Sequence, residues 1–229
     1  MKTIKQHLFP FSFMLIIPVL NIFYILLNHS RHEVSSLVTK FDQSIPLVEF
    51  FVLPYLIWYP FILLTMLYLC IKEREIYFKT LIAYAVGLII CYMTYLVFQT
   101  TVPRPELTGD DIFTRMLAMV YKADQPYNCF PSIHVLSCYL MMKAIYKSSI
   151  KNRVNQAVVY SNSIIIILST LFVKQHVILD VASGILVGEL VYRLVDAYYE
   201  KDRILLWDKK RKSLVSFKRR WRMNKDFEI

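Results

Sequence analysis

The sequence predicts an all-α membrane protein, a bundle of six transmembrane helices, and three observations carry that expectation. Apolar residues make up 56% of the chain, above the ~45–50% of a soluble domain. Mean hydropathy is +0.43, and the apolar residues gather in runs of about twenty, the length that spans a bilayer. The formal net charge is +10, yet eleven Lys and Arg crowd into Glu200–Ile229. That asymmetry sets orientation in a membrane rather than marking a nucleic-acid binder. One membrane domain over residues 1–199 and a basic cytoplasmic tail over residues 200–229 are expected.

The runs define the elements in order. Helix 1 is predicted over Leu8–Leu27; the basic segment Met1–His7 precedes it, and Pro10 and Pro18 with no small-residue cleavage site argue against a signal peptide. Asn28–Ser44 is polar and leaves the membrane, with Asp42 expected to be solvated. Helix 2 follows over Pro46–Ile71 and carries Pro46, Pro54 and Pro60, which membrane helices tolerate. Lys72–Lys79 reads as a charged turn, and Thr80–Thr101 as helix 3. The longest connection, Val102–Phe130, holds Asp110 and Asp111 and an amphipathic segment, Ile112–Tyr121, that fits a short interfacial helix. Helix 4 runs from Pro131 to Tyr146, helix 5 over Ala157–Val173 and helix 6 over Gln175–Tyr199. On helix 6, Glu189 and Arg193 are spaced for an intrahelical ion pair.

Six helices place both termini on one side. The candidate inner segments (the N-terminus, Lys72–Lys79, Lys143–Arg153 and the tail) hold 2, 3, 4 and 11 Lys and Arg. The outer segments hold fewer, so the termini are expected in the cytoplasm. Three separate loops then bring Arg104, Ser132, His134, Lys174, His176 and Asp180 to the outer face.

Those residues carry the chemistry. Asn128-Cys129-Phe130-Pro131-Ser132-Ile133-His134 leads a polar turn into a long apolar run, so it reads as a helix start, with Pro131 in the first turn. Ser132 and His134 then sit by free backbone N–H groups at the positive end of the helix dipole, a place for phosphate. In Lys174-Gln175-His176-Val177-Ile178-Leu179-Asp180, His176 and Asp180 are four apart, so on a helix the carboxylate can orient the imidazole. His176 is the candidate nucleophile, Asp180 its orienting acid and His134 the candidate general acid and base. Arg104, Ser132 and Lys174 are the candidate phosphate ligands. Ser169 and Thr170 are expected to bond their own helix backbone. Cys70, Cys91, Cys129 and Cys138 have neither paired nor zinc-like spacing, so no disulfide framework, metal site or cofactor is expected.

These residues resemble the type 2 phosphatidic acid phosphatase superfamily. Its three blocks are Lys, six residues, Arg-Pro; then Pro-Ser-x-His; then Ser-Arg, five residues, His, three residues, Asp. Arg104-Pro105 is similar to the end of the first block, Pro131-Ser132-Ile133-His134 to the second, and Ser169, His176 and Asp180 to the third. The family lysine would fall at Val97 and the family arginine at Thr170, with Lys174 a substitute for one charge. Cys129-Phe130-Pro131-Ser132 with Lys174-Gln175-His176 also looks like the inositol phosphorylceramide synthase and sphingomyelin synthase branch. Ile45-Pro46, Pro54-Tyr55 and Trp58 look like the second helix of that branch. The resemblance implies a six-helix fold, a His-His-Asp triad, no metal and a phosphohistidine-type intermediate. The implied activity is hydrolysis of a lipid phosphoester or pyrophosphate at the outer membrane face. One alternative is transfer of a phospho-headgroup to a lipid hydroxyl; another is a non-catalytic phosphate-binding membrane protein. Expected partners are the lipid substrate and, through Trp207, Phe217 and Trp221 among the basic residues of the tail, anionic lipid.

Overall fold

The structure is a computed structural model that describes the backbone of residues 8–29 and 33–225, with side chains as far as residue 202. Met1–His7 and the side chains of Trp207, Phe217 and Trp221 lie outside the described residues. The chain divides by its contacts into residues 1–192 and 193–229.

Helix α1 (Leu8–Leu27) opens the described chain. It tightens to a 3-10 turn at Phe13–Leu15, since Pro18 brings no N–H to the Met14 carbonyl four residues back. A short strand β1 (Ser35–Ser36) and a five-residue helix α2 (Lys40–Ser44) follow. A 3-10 turn at Glu49–Phe51 leads into α3 (Val52–Lys72), so Pro46–Val48, predicted helical, is extended chain instead. The charged turn expected at Lys72–Lys79 shrinks to Glu73, because α4 (Arg74–Val97) starts one residue later. Helical spacing lets Lys79 pair with Glu75 at 3.0 Å, so these charges support a helix rather than break one.

Helix α4 ends at Val97, short of the predicted Thr101. Thr100–Thr101 forms strand β2, parallel to β1, with Ser35 opposite Thr100 and Ser36 opposite Thr101. Hydroxylated and β-branched residues at the end of an apolar run suit an edge ladder better than a last helical turn. Helix α5 (Ile112–Ala123) is capped by Asp111, which accepts from the N–H groups of Phe113 (2.8 Å) and Thr114 (3.3 Å). Next come α6 (Ile133–Lys147), α7 (Arg153–Phe172) and α8 (Ile178–Lys225).

Among the described residues, four helices are long and apolar enough to cross a membrane: α1, α3, α4 and α7. Their outward faces carry exposed Leu, Ile, Phe and Val throughout, as a lipid-facing surface requires. The other two predicted spans differ. At 15 residues, α6 is ~22 Å long, less than the ~30 Å hydrocarbon core. It lies at the centre, packed by α3, α4 and α7, with Ile133–Cys138, Leu140, Met141, Ala144 and Ile145 buried. The first turns of α8 carry Asp180 and Glu189 among their apolar residues. Lys143 and Tyr139 of α6 hold Glu189 at 2.8 and 2.5 Å.

Helix α8 meets α6 over two glycines one turn apart. A Cβ at Gly184 would come within 2.7 Å of the Ser132 carbonyl oxygen, and one at Gly188 within 2.9 Å of the Tyr139 ring. This small-xxx-small spacing lets two backbones approach closely. Gly184→Ala is expected to destabilise the protein by roughly 1–3 kcal/mol. Gly188→Ala should cost less, because a side chain yields where a carbonyl cannot; thermal melts in detergent rank the two.

Candidate functional site

Loop geometry brings the starts of α6 and α8 together. Ser132 caps α6, its Oγ accepting from Val135 N–H at 3.3 Å, so Pro131 lies just outside the helix rather than in its first turn. The Ser132 N–H donates to the Asp180 carbonyl at 3.2 Å, tying one helix start to the first turn of the other. The incoming loop is pinned by Tyr95 O–H on the Pro131 carbonyl (2.6 Å) and by Phe130 N–H on Thr100 Oγ1 (3.0 Å).

At the other helix start, Lys174 adopts φ 54°. Its N–H bonds the Leu171 carbonyl and the Gln175 N–H bonds the Thr170 carbonyl, which closes α7 in a Schellman turn. Glycine usually takes this left-handed position; a lysine there stores about 1 kcal/mol of strain. Helix α8 then starts at Ile178, three residues later than predicted, so His176 precedes the helix. Asp180 reaches back instead: its Oδ2 accepts from Val177 N–H at 2.9 Å and lies 3.3 Å from His176 Nδ1. The carboxylate thus caps the helix and orients the imidazole with one oxygen.

His134 Nδ1 lies 3.2 Å from His176 Nε2. With a proton on each Nδ1, His134 donates to His176 Nε2 and His176 donates to Asp180. The chain His134–His176–Asp180 is buried, with side chains of all three under 7% exposed. On its other side His134 is wedged by Trp58 and Tyr55 of α3, with ring centroids 4.1 and 4.9 Å away. Trp58 Nε1–H donates to Ser137 Oγ (2.7 Å), and Ser137 O–H donates to the His134 carbonyl (3.0 Å).

A cleft of about 370 Å³ reaches His176. Apolar residues, among them Val38, Ile45, Val102 and Leu171, form most of its wall, and Arg104 and Lys174 line it beside His176. Ser132 and His134 are absent from that wall; Ser132 is fully buried as the cap of α6. Both cations grip main-chain carbonyls. Arg104 donates through Nη1 to Tyr121 O (2.7 Å) and through Nη2 to Asp124 O (2.6 Å) and Gln175 Oε1 (2.7 Å). Its guanidinium also lies over the Tyr121 ring, 4.4 Å from the centroid. Burial pushes the Tyr121 phenol up to about 12, and its O–H donates to Val173 O at 2.8 Å. Arg104 Nε is buried without a protein partner, which leaves that one N–H of the guanidinium as a donor for an anion. Lys174 Nζ donates to the carbonyls of Asp42 and Ile45.

Asp42 departs from expectation. It is 5% exposed, not solvated. Its Oδ2 completes a capping box with Thr39, and its Oδ1 accepts from Ile178 N–H at 2.8 Å, at the start of α8. The Thr39-x-x-Asp42 spacing signals that box in the sequence; the second contact has no local signal. The Ser169 and Thr170 hydroxyls bond their own helix, to Ile166 O and Ile167 O. Val97 is 82% exposed, at the end of α4. Among the described residues no group of three or more His, Cys, Asp or Glu is arranged to hold a metal ion.

A mostly helical membrane protein, with a histidine pair and a carboxylate at the end of a largely apolar cleft, is the class these features define. No protein-family model matches the chain, and no curated protein does. Among solved structures, it is similar to the crystal structure of Aquifex aeolicus LpxE, with a TM-score of 0.50 and 17% identity over 78% of this chain and 94% of that one. That likeness is one of fold.

Two outcomes follow for the rim of the cleft. Lys174→Gly keeps the left-handed turn and removes its strain, whereas Lys174→Ala keeps the strain. Both lose the ammonium, so in thermal melts the glycine variant is expected to be about 1 kcal/mol more stable than the alanine variant. Burial alone would raise the Asp42 carboxyl, but the Thr39 hydroxyl, the Ile178 and Thr39 N–H groups and the Lys174 ammonium bring it below its ordinary value. A carboxyl favoured in its charged form contributes stability above its unfolded value, ~4, and loses it as pH falls through the lower folded value. The gap in melting temperature between wild type and Asp42→Asn is therefore expected to be full at pH 6 and to close towards pH 3.

Proposed function

We propose that the chain is an integral membrane lipid-phosphate phosphatase that works through a phosphohistidine intermediate on His176. One observation carries the reading: the hydrogen-bonded run His134–His176–Asp180 lies at the end of an apolar cleft whose wall also holds Arg104 and Lys174. The fold likeness to LpxE, a member of the type 2 phosphatidic acid phosphatase superfamily, supports it. So does the agreement of that fold with the motif resemblance.

The residues divide the work as follows. Asp180 accepts the His176 Nδ1–H and so keeps the lone pair on Nε2. In the resting arrangement that lone pair accepts the His134 Nδ1–H. A phosphoryl group entering from the cleft parts the two rings. His176 Nε2 then attacks phosphorus, the bond to the lipid oxygen breaks, and His134, which enters the step as the imidazolium with a proton on both ring nitrogens, gives its Nδ1 proton to the departing oxygen and becomes neutral. Neutral His134 next takes a proton from water. The resulting hydroxide attacks phosphorus, the P–N bond breaks and inorganic phosphate leaves. Arg104, through its Nε–H, and Lys174, on release from its two carbonyls, balance charge on the phosphoryl oxygens. Ser132 acts by holding the α6 start rather than from the cleft wall. The distribution of Lys and Arg supports an extracytoplasmic site with both termini in the cytoplasm.

A second reading, transfer to a lipid hydroxyl, shares the first half-reaction. The apolar wall of the cleft favours it, because an alcohol on a lipid reaches such a site more readily than water does.

Purified protein in detergent, given phosphatidic acid or prenyl pyrophosphate, is expected to release inorganic phosphate; a new phospholipid formed from phosphatidylinositol and a lipid alcohol instead establishes the transferase reading. His176→Ala and His134→Ala should each lower turnover about a thousandfold or more. Rapid quenching with labelled substrate should trap an acid-labile, base-stable phosphoprotein that His176→Ala abolishes. Equal turnover in either variant and wild type overturns the mechanism, and no turnover of any of these lipids by wild type leaves a phosphate-binding protein without catalysis.

A further inference from the structure

Asp124 has no part in the steps above, yet it touches what holds both histidines. We propose that Asp124 is a positioning residue for the histidine pair, an inference that rests on the catalytic reading of that pair. It stands just after α5, its N–H bonded to Val120 O at 2.9 Å. Its carboxylate is only half-buried and gathers three donors from two membrane helices. Oδ1 accepts from Tyr24 O–H (2.6 Å) and Asn28 Nδ2 (2.8 Å), at the end of α1; Oδ2 accepts from Tyr55 O–H (3.3 Å) on α3. These partners are neutral, so the ionised carboxylate acts as a strong acceptor that fixes phenols in place.

The consequence for His134 runs through Tyr55. Its ring lies against the imidazole, one helical turn before Trp58, which lies against it too. The bond to Asp124 sets the tilt of the Tyr55 ring and so bounds the space in which His134 can turn. The consequence for His176 runs through the main chain. The Asp124 carbonyl accepts from Arg104 Nη2, and the same nitrogen holds Gln175 Oε1, one residue before His176. One residue at the end of α5 thus fixes the groups beside each ring, by its carboxylate on one side and its carbonyl on the other. Displacements of about 1 Å between reacting groups cost ~10²-fold in rate, so positioning of this kind is read in turnover rather than in binding.

The test uses the full chain in detergent with phosphatidic acid. Asp124→Ala removes the carboxylate and keeps the carbonyl. It is expected to lower kcat about ten- to a hundredfold with KM within about threefold. Tyr55→Phe keeps the ring and loses only the bond to Asp124; it should lower kcat in the same sense. The double variant should be no slower than Asp124→Ala, because both act through one interaction. Asp124→Asn, which still accepts from Tyr24 and Asn28, should recover part of the loss. Unchanged kcat per folded molecule, a rise in KM alone, or independent effects of Asp124→Ala and Tyr55→Phe overturns the proposal. A readout that needs no activity accompanies it: in protein labelled with 15N-histidine, the His134 imidazole signal, assigned by its loss in His134→Ala, should shift or broaden in both variants. If wild type turns over no phosphate lipid, the proposed function fails, and the imidazole spectra still decide the positioning role. Identical spectra in wild type, Asp124→Ala and Tyr55→Phe end it.

Discussion

Everything about the candidate site depends on how closely the starts of α6 and α8 approach. Gly184 lets α8 lie against the Ser132 carbonyl, and the Ser132 N–H in turn bonds the Asp180 carbonyl. Two helix starts held this near would expose a cluster of N–H groups and two positive dipole ends to each other. The chain meets that problem with oxygens. Ser132 Oγ takes Val135 N–H, Asp180 takes Val177 N–H and Asp42 takes Ile178 N–H. His134 and His176 stand beside these capped starts, and their 3.2 Å contact follows from the helix approach.

The cations obey the complementary rule. Arg104 binds carbonyls at the end of α5, and Lys174 binds carbonyls of Asp42 and Ile45 in and just after α2. These oxygens lie at helix C-terminal ends, where positive charge is favoured, and the Asp42 carbonyl also accepts from Ile45 N–H at 3.3 Å. Carboxylates at the helix starts and cations at the helix ends therefore fasten the loops over the cleft. In the proposed mechanism the same cations balance the charge of the phosphoryl group, so the proposed ligands would double as fasteners of the rim. Lysine rather than glycine at the left-handed position of residue 174 fits this double use, because the strain is accepted for the sake of the ammonium.

Much of the scaffold was legible in sequence. The runs at α1, α3, α4 and α7 have span length, while Asp111, which by sequence fits loop solvation or a helix cap, is the cap of α5. What misled were ends and charges. Lys72–Lys79 looked like a turn because charges interrupt an apolar run, whereas i,i+4 pairing makes Glu75 and Lys79 good helix residues. Thr100 and Thr101 looked like the end of a helix, but their partner strand, Ser35–Ser36, is more than sixty positions away. Asp42 looked solvated because its burial depends on Ile178 and Lys174, residues remote in sequence. Asp124 carries no motif at all; only the meeting of α1, α3 and α5 gives it partners.

The sequence by itself determined that the chain is apolar and helical, and its spacing set His176 and Asp180 within reach of one another. It did so for a reason that survived a wrong local picture: a carboxylate three residues into a helix reaches back past the helix start as readily as along one face. Only the tertiary structure decided that His134 meets His176, that Ser132 is a buried cap and that Asp42 and Asp124 are structural neighbours of the site. Those outcomes rest on contacts between helices, and such contacts depend on where small residues let backbones meet, which no local pattern of side chains fixes.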